Sequence, residues 1–220
     1  MASASPSQAA AIVVIGRDAG VLDAVGRPGV ELTVWRRDPD PAWAAWLGSL
    51  PLDAWPACRL ALAPEDAATA LAACFEARDM PCGPERTSLV ADVARLVARF
   101  AALARTARVQ LRMEAIIGDG CRRWHRDCVP LRPICTYRGP GTQWVPPELG
   151  DDVLCRPDDD TMQALPLGAA DVGVFKGCGW PGQTHDGGIV HRAPRIAGTG
   201  TVRLVLVLDA VRSSPEERVS

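Results

Sequence analysis

Residues 121–128 read Cys-Arg-Arg-Trp-His-Arg-Asp-Cys and place one of only three histidines, His125, two positions before a carboxylate, Asp127. In an extended chain, alternate side chains point to opposite faces, so His125 and Asp127 share one face while Arg126 points away. An imidazole and a carboxylate side by side can occupy two positions around a divalent metal ion. This stretch therefore predicts two ligands of a metal site.

A third ligand must come from elsewhere in the chain. His191, in Gly188-Ile-Val-His-Arg-Ala-Pro194, lies 191 − 125 = 66 residues downstream. Two histidines and one carboxylate form the facial triad of non-haem Fe(II) oxygenases, which leaves metal positions open for a co-substrate and O2. His185 is the alternative third ligand, but its surroundings are rich in glycine and indicate a loop.

Length and charge limit the classes of function. A chain of 220 residues is enough for one well-buried domain, or for a core domain with a smaller addition. The formal net charge of −2 gives no basic footprint for nucleic acid. No run of about 18 apolar residues predicts a membrane span, and the first residues lack the positive start of a signal peptide. We therefore expect a cytoplasmic protein.

The eight cysteines give no recognisable framework. No two are spaced as Cys-x-x-Cys, which argues against a zinc ribbon or a thioredoxin-like dithiol. Because no export signal is recognised, we expect thiols rather than disulfides.

The pattern of apolar residues divides the chain into four parts. We expect a flexible tail over 1–10, an N-terminal α/β segment with a long support helix over 11–108, a β-rich core over 109–211, and a second tail over 212–220. The support helix follows a cap at Thr87 or Ser88. Its apolar positions then recur at three- and four-residue spacing, which is typical of a helix packed on one face.

Helical patterns up to Arg108 and strand patterns after it predict an α+β protein whose second half is a sandwich or barrel. Trp124 to Val129 is expected to be one of the strands. Residues 146–166 are predicted to form a long loop, either a lid over the site or a surface excursion.

The second half resembles the Fe(II)- and 2-oxoglutarate-dependent dioxygenases, whose fold is the double-stranded β-helix, a jelly-roll or cupin-like barrel. The likeness rests on His125-Arg-Asp127, the run from Arg132 to Thr142, the distal His191 and Arg203 on the last strand. The prolyl-hydroxylase branch has a similar run after its own His-x-Asp. This resemblance implies an N-terminal mixed segment packed on a C-terminal double-stranded β-helix.

Two sequence segments are also similar to those of a proteobacterial family of unknown function. They are Cys135-Thr-Tyr-Arg-Gly-Pro-Gly-Thr142 and Val190-His-Arg-Ala-Pro194. That second likeness extends over most of the chain, but no reaction is assigned to the family.

The dioxygenase resemblance implies roles for individual residues. His125, Asp127 and His191 would hold Fe(II), with 2-oxoglutarate and O2 as co-substrates. Arg203 would bind the distal carboxylate of 2-oxoglutarate, since a guanidinium suits a bidentate carboxylate contact. Further candidates for co-substrate contacts are Lys176, Arg132, Tyr137 and Thr142. The chain departs from the family at Val205, where a hydroxyl side chain often follows the arginine.

Three other functions stay open at this level. Cys121 and Cys128 flank His125, and thiolates would favour zinc, so a non-catalytic metal-binding protein is one alternative. A cupin-like binding protein without a cofactor is the second, and an Fe(II) dioxygenase that does not use 2-oxoglutarate is the third.

The substrate, whether a small molecule or a peptide, is not identified by any motif. The predicted site has aromatic and histidine side chains nearby that could wall a substrate pocket, although barrel packing explains aromatic residues equally well. The candidates are Trp124, Trp144, Trp180 and His185.

Overall fold

The computed structural model describes residues 12–38, 40–184 and 186–211. The two predicted tails and His185 lie outside the described residues. The strands are β1 (Ile12–Gly16), β2 (Val30–Trp35), β3 (Ala57–Leu62), β4 (Val109–Ile116), β5 (Leu131–Arg138), β6 (Gln143–Trp144), β7 (Leu165–Pro166), β8 (Val172–Lys176), β9 (His191–Arg192) and β10 (Arg203–Ala210). The α-helices are α1 (Pro41–Ser49), α2 (Ala67–Glu76), α3 (Pro84–Ala104) and α4 (Gly150–Leu154).

The strands form a large mixed sheet and a small antiparallel one. The large sheet has seven strands in the order β1-β2-β8-β5-β10-β4-β3, and the small sheet has the order β7-β6-β9. Only β1 and β2 pair in parallel within the large sheet. Strands from before and after residue 108 therefore share one sheet, and the division of the chain into segments stays a prediction.

The two faces of the large sheet are covered differently. On β10, Leu204, Leu206 and Leu208 point into the larger core, which also contains the apolar side chains of α1, α2 and α3. Val205 and Val207 point to the other face, where a second core includes Trp144 of the small sheet. Since side chains alternate along a strand, Arg203 and Asp209 belong to this second face. The molecule thus has a helical layer, a large sheet and a small sheet.

Helix α3 is the predicted support helix. It begins at Pro84 rather than after Thr87 or Ser88, because proline at the first helical position leaves no donor unpaired. Its apolar side is buried from Leu89 to Ala101 and contacts β4 and β10, which confirms the prediction that this helix packs on the sheet. Within the described ranges, no helix has the length and apolar composition needed to cross a membrane.

The structure corrects three expectations. Strand β3 lies in a region predicted to be helical, because antiparallel pairing with β4 determines its conformation. The predicted loop over 146–166 contains α4 and β7. Cys58 and Cys74 form a disulfide between β3 and α2, so the expectation that all cysteines are thiols is wrong for this pair.

Candidate metal centre

The side chains of His125, Asp127 and His191 converge at one point. Each offers one ligand atom, and the three atoms all lie within 4.8 Å of one another. The segment around His125 was predicted to be a strand, but only a single β-bridge forms there, between His125 and His191. That bridge brings the two distant parts of the sequence together.

Backbone carbonyls fix the orientation of both imidazole rings. Nδ1 of His125 lies 2.8 Å from the carbonyl oxygen of Arg123, and Nδ1 of His191 lies 3.0 Å from that of Ile189. A carbonyl can only accept, so each Nδ1 donates and each neutral ring keeps its lone pair on Nε2. Burial, followed by the neighbouring His191, lowers the pKa of His125. The neutral form, which binds metals, is therefore favoured.

Asp127 has an unsatisfied oxygen that a cation would fit. Its Oδ2 is buried and, among the described residues, has no hydrogen-bond partner, although it lies 3.4 Å from Nε2 of His191. In the neutral tautomer that donates through Nδ1, Nε2 of His191 carries a lone pair and offers no proton to Asp127. A buried acceptor without a partner is costly, and a metal ion shared by these atoms removes that cost.

The other oxygen of Asp127 is held by Arg132. One Nη1 of the guanidinium donates to Asp127 Oδ1, while Nε and Nη2 donate to Asp209 at 2.9 and 3.2 Å. Burial, the largest influence, acts to raise the pKa of Asp127, but that pKa is nevertheless held below its usual value, to which the charge of Arg132 contributes. Arg132 was predicted as a co-substrate contact; the structure places it between two carboxylates, where it orients Asp127.

Two aromatic side chains pack around His191 on its inner side. Trp144 pairs directly with His191 between β6 and β9, and paired residues project to the same face. The ring of Phe175 lies 4.5 Å from that of His191. Trp144 therefore reaches the predicted site, and its indole Nε1 is buried without a hydrogen-bond partner.

Trp124 lies on the outer side of the small sheet. It packs in a separate apolar cluster with Val145, Val153 and Val190, and the guanidinium of Arg192 stacks 4.2 Å from its ring centroid. Trp124 therefore supports the ligand-bearing segments from behind rather than facing the three ligand atoms.

Arg203 is a buried cation without an acidic partner among the described residues. The residue is 2% exposed, Nε donates to the carbonyl of Pro140 at 2.7 Å, and Nη2 lies 3.4 Å from the hydroxyl of Thr136. Burial alone lowers its pKa to about 10. Val205 and Val207 separate Arg203 from Asp209 on the same face, so an apolar row lies between the arginine and the three ligands.

The turn after β5 closes tightly against Arg203. Gly139 has a φ of +81°, and a Cβ there would lie 2.6 Å from the carbonyl oxygen of Val202. Only glycine fits both requirements. Thr142, predicted as a co-substrate contact, is buried just after this turn, and its carbonyl accepts the backbone N–H of Leu167.

The remaining sequence candidates are not brought to the three ligands. Tyr137 lies in the helix-side core, and its hydroxyl donates to Asp92 at 2.7 Å. Lys176 donates to the carbonyl of Arg27 and lies 4.9 Å above the ring of Trp180. Tyr137 follows Thr136, and Lys176 follows Phe175, which both point to the small-sheet face. Because side chains alternate along a strand, Tyr137 and Lys176 point to the helix-side face of the large sheet.

Sequence reasoning missed Asp209 and the supporting role of Arg132. The available signal for Asp209 was an acidic residue near the end of the apolar strand β10. Its partner, Arg132 on β5, could not be predicted because strand pairing determines which residues meet. The thiols of Cys121 and Cys128 do not belong to the group of converging ligand atoms. A thiolate zinc site of the predicted kind is therefore not assembled within the described ranges.

The fold is similar to that of solved plant dioxygenases. Dioxygenase for auxin oxidation 1 from Arabidopsis thaliana, solved as a complex with 2-oxoglutarate, has a TM-score of 0.53 and 12% identity, with 96% of this chain and 98% of that chain covered. The rice dioxygenase for auxin oxidation has a TM-score of 0.49 and 16% identity, with 96% and 88% covered. The likeness to the Arabidopsis protein shows a shared fold, the double-stranded β-helix.

Sequence comparison assigns no reaction. A family described as a protein of unknown function, DUF1826, matches residues 16–209. No curated protein matches the chain.

Proposed function

Because the chain belongs to the DUF1826 family, whose description assigns no activity, we propose a function from the site itself: a non-haem Fe(II) oxygenase that uses 2-oxoglutarate to oxidise a second substrate. The observation that carries this proposal is the convergence of two imidazole nitrogens and the unpartnered Oδ2 of Asp127 within 4.8 Å. Two histidines and one carboxylate are the ligand set of such oxygenases.

The protein residues prepare the ligand set in three ways. His125 and His191 present Nε2 because their Nδ1 atoms are held by carbonyls. Arg132 turns Asp127 so that Oδ2 faces the histidines. The apolar side chains of the second core, which includes Phe175 and Trp144, limit the access of water. When bound, Fe(II) and 2-oxoglutarate would supply the activation of O2.

Arg203 supports 2-oxoglutarate as the co-substrate. A buried guanidinium without a carboxylate partner is costly, and a dicarboxylate bound at the three ligands could place its far end there. The hydroxyl of Thr136 and the carbonyl of Pro140 already orient the guanidinium.

The decisive experiment is an anaerobic titration of the metal-free protein with Fe(II) and then 2-oxoglutarate, followed by visible absorption. We expect a charge-transfer band that requires both additions. Asp127→Ala should remove the band together with Fe(II) binding, whereas Arg203→Ala should keep Fe(II) binding and lose the band.

His185→Ala is the matched control, because it removes the only other histidine and should leave both steps intact. Binding of Fe(II) without the band would favour an oxygenase that does not use 2-oxoglutarate. Tight zinc binding with no Fe(II) binding would overturn the oxygenase and favour a zinc protein.

A further inference from the structure

Two cysteines lie side by side next to the proposed metal centre. Cys128 directly follows Asp127, and Cys178 follows the end of β8. The backbone N–H of Cys178 donates to the carbonyl of Asp127 at 3.0 Å, and that of Gly177 donates to Pro130 at 3.1 Å. These two bonds hold the segments that carry Cys128 and Cys178 side by side.

Glycines keep the two segments in close contact. A Cβ on Gly177 would lie 2.2 Å from the carbonyl oxygen of Val129, and a Cβ on Gly179 would lie 2.9 Å from that of Cys128. No side chain fits at these approaches. Backbone packing therefore fixes how closely the segments that carry the two cysteines approach each other.

The pair is also accessible. Cys128 is exposed and Cys178 is half-buried, so a small dissolved oxidant can reach them. Cys135, by contrast, is fully buried, and that burial raises the pKa of its thiol to about 12. The proposed ligands of the metal centre do not include either thiol of the pair.

We propose that Cys128 and Cys178 are a modification site at which a peroxide forms a reversible intramolecular disulfide. One sulfur attacks hydrogen peroxide, whose O–O bond breaks, giving a sulfenic acid and water. The second thiol then attacks that sulfur, the S–O bond breaks, and a second water leaves. Both sulfurs are oxidised and the peroxide is reduced. The cross-link joins the segment bearing Asp127 to the end of β8.

The test uses the metal-free chain of 220 residues treated with one equivalent of hydrogen peroxide. Six cysteines lie outside the Cys58–Cys74 disulfide, and we expect the number of thiols that can be alkylated after denaturation to fall from six to four. Mass spectrometry of proteolytic peptides should show Cys128 linked to Cys178, with fragmentation to distinguish Cys128 from Cys135. Dithiothreitol should restore all six thiols.

Single substitutions separate this pair from the other thiols. Cys128→Ser and Cys178→Ser should each abolish the cross-link, whereas Cys121→Ser and Cys155→Ser, at exposed cysteines elsewhere, should retain it. A monomer that gains oxygen at Cys128 without a link to Cys178 would overturn the proposal. So would a disulfide between two chains, or an unchanged loss of two thiols in Cys178→Ser.

Discussion

His125 and His191 exchange backbone hydrogen bonds in both directions, at 3.1 and 3.0 Å. The pairing sets their ring centroids 4.6 Å apart although 191 − 125 = 66 residues separate them in sequence. Because these bonds join main-chain atoms, the placement of the two ligands does not depend on the side chains themselves. The main chain therefore holds the two imidazoles together.

Replacing either histidine should remove the metal and leave the fold. We expect His125→Ala and His191→Ala to lower Fe(II) affinity by more than the roughly 100-fold that loss of a supporting contact costs. His191→Ala should also lower the free energy of unfolding by about 1–3 kcal/mol, because its buried ring packs on Phe175. Anaerobic Fe(II) titration and urea unfolding measure the two effects. Full Fe(II) affinity in both variants would rule out the proposal that the two histidines bind the metal.

Arg132 should affect metal binding through Asp127. We expect Arg132→Ala to weaken Fe(II) binding by about 10- to 100-fold, since Asp127 loses the contact that orients it. Asp209→Asn is the matched control, because it perturbs only the far side of the guanidinium, and its effect should be smaller. Equal affinities of Arg132→Ala and the parent protein would show that Asp127 needs no such support.

We expect Arg203 to lower the free energy of unfolding of the ligand-free protein and to bind 2-oxoglutarate. We expect Arg203→Met to raise the free energy of unfolding of the ligand-free protein by about 1 kcal/mol or more, because a buried cation with no acidic partner among the described residues is replaced by an apolar chain of similar length. The same variant should lose 2-oxoglutarate binding and keep Fe(II). Urea unfolding and anaerobic titration test the two halves, and a less stable variant would show that the hydrogen bonds of Arg203 to Pro140 and Thr136 outweigh the cost of burying its charge.

Tyr137 should matter for stability and not for the co-substrate. Its hydroxyl donates to Asp92, which also accepts from Arg37 at 2.8 Å. We expect Tyr137→Phe to cost about 1–3 kcal/mol of unfolding free energy, since a buried acceptor loses a partner. The dissociation constant for 2-oxoglutarate, measured from the absorption band, should not change. A weaker charge-transfer band in this variant would instead support a contact between Tyr137 and 2-oxoglutarate.

The disulfide between Cys58 and Cys74 should stabilise the helical layer. Removing it with Cys58→Ala and Cys74→Ala together should lower the free energy of unfolding by about 2–4 kcal/mol. Cys82→Ser, at an exposed free cysteine, is the control and should change it little. Urea unfolding curves compare the three proteins. Equal midpoints for the double variant and the parent would contradict a stabilising bond.

Much of the secondary structure follows from the sequence because it depends on local patterns. The period of apolar residues predicted the long helix α3 and the strand patterns that follow Arg108. The failures have a common cause. Strand β3 and the bridge at His125 exist because of pairing with distant strands, and no local period indicates such pairing.

The sequence by itself determined which residue types are available to a metal: His125 and Asp127 two positions apart, and a distant His191. Only the tertiary structure decided what surrounds them. Arg132, a co-substrate candidate from the sequence, contacts Asp127 in the structure. Tyr137, another candidate, points to the opposite face of the sheet and contacts Asp92. The reason is physical, since alternation along a strand gives relative faces, whereas strand order and register decide which side chains meet.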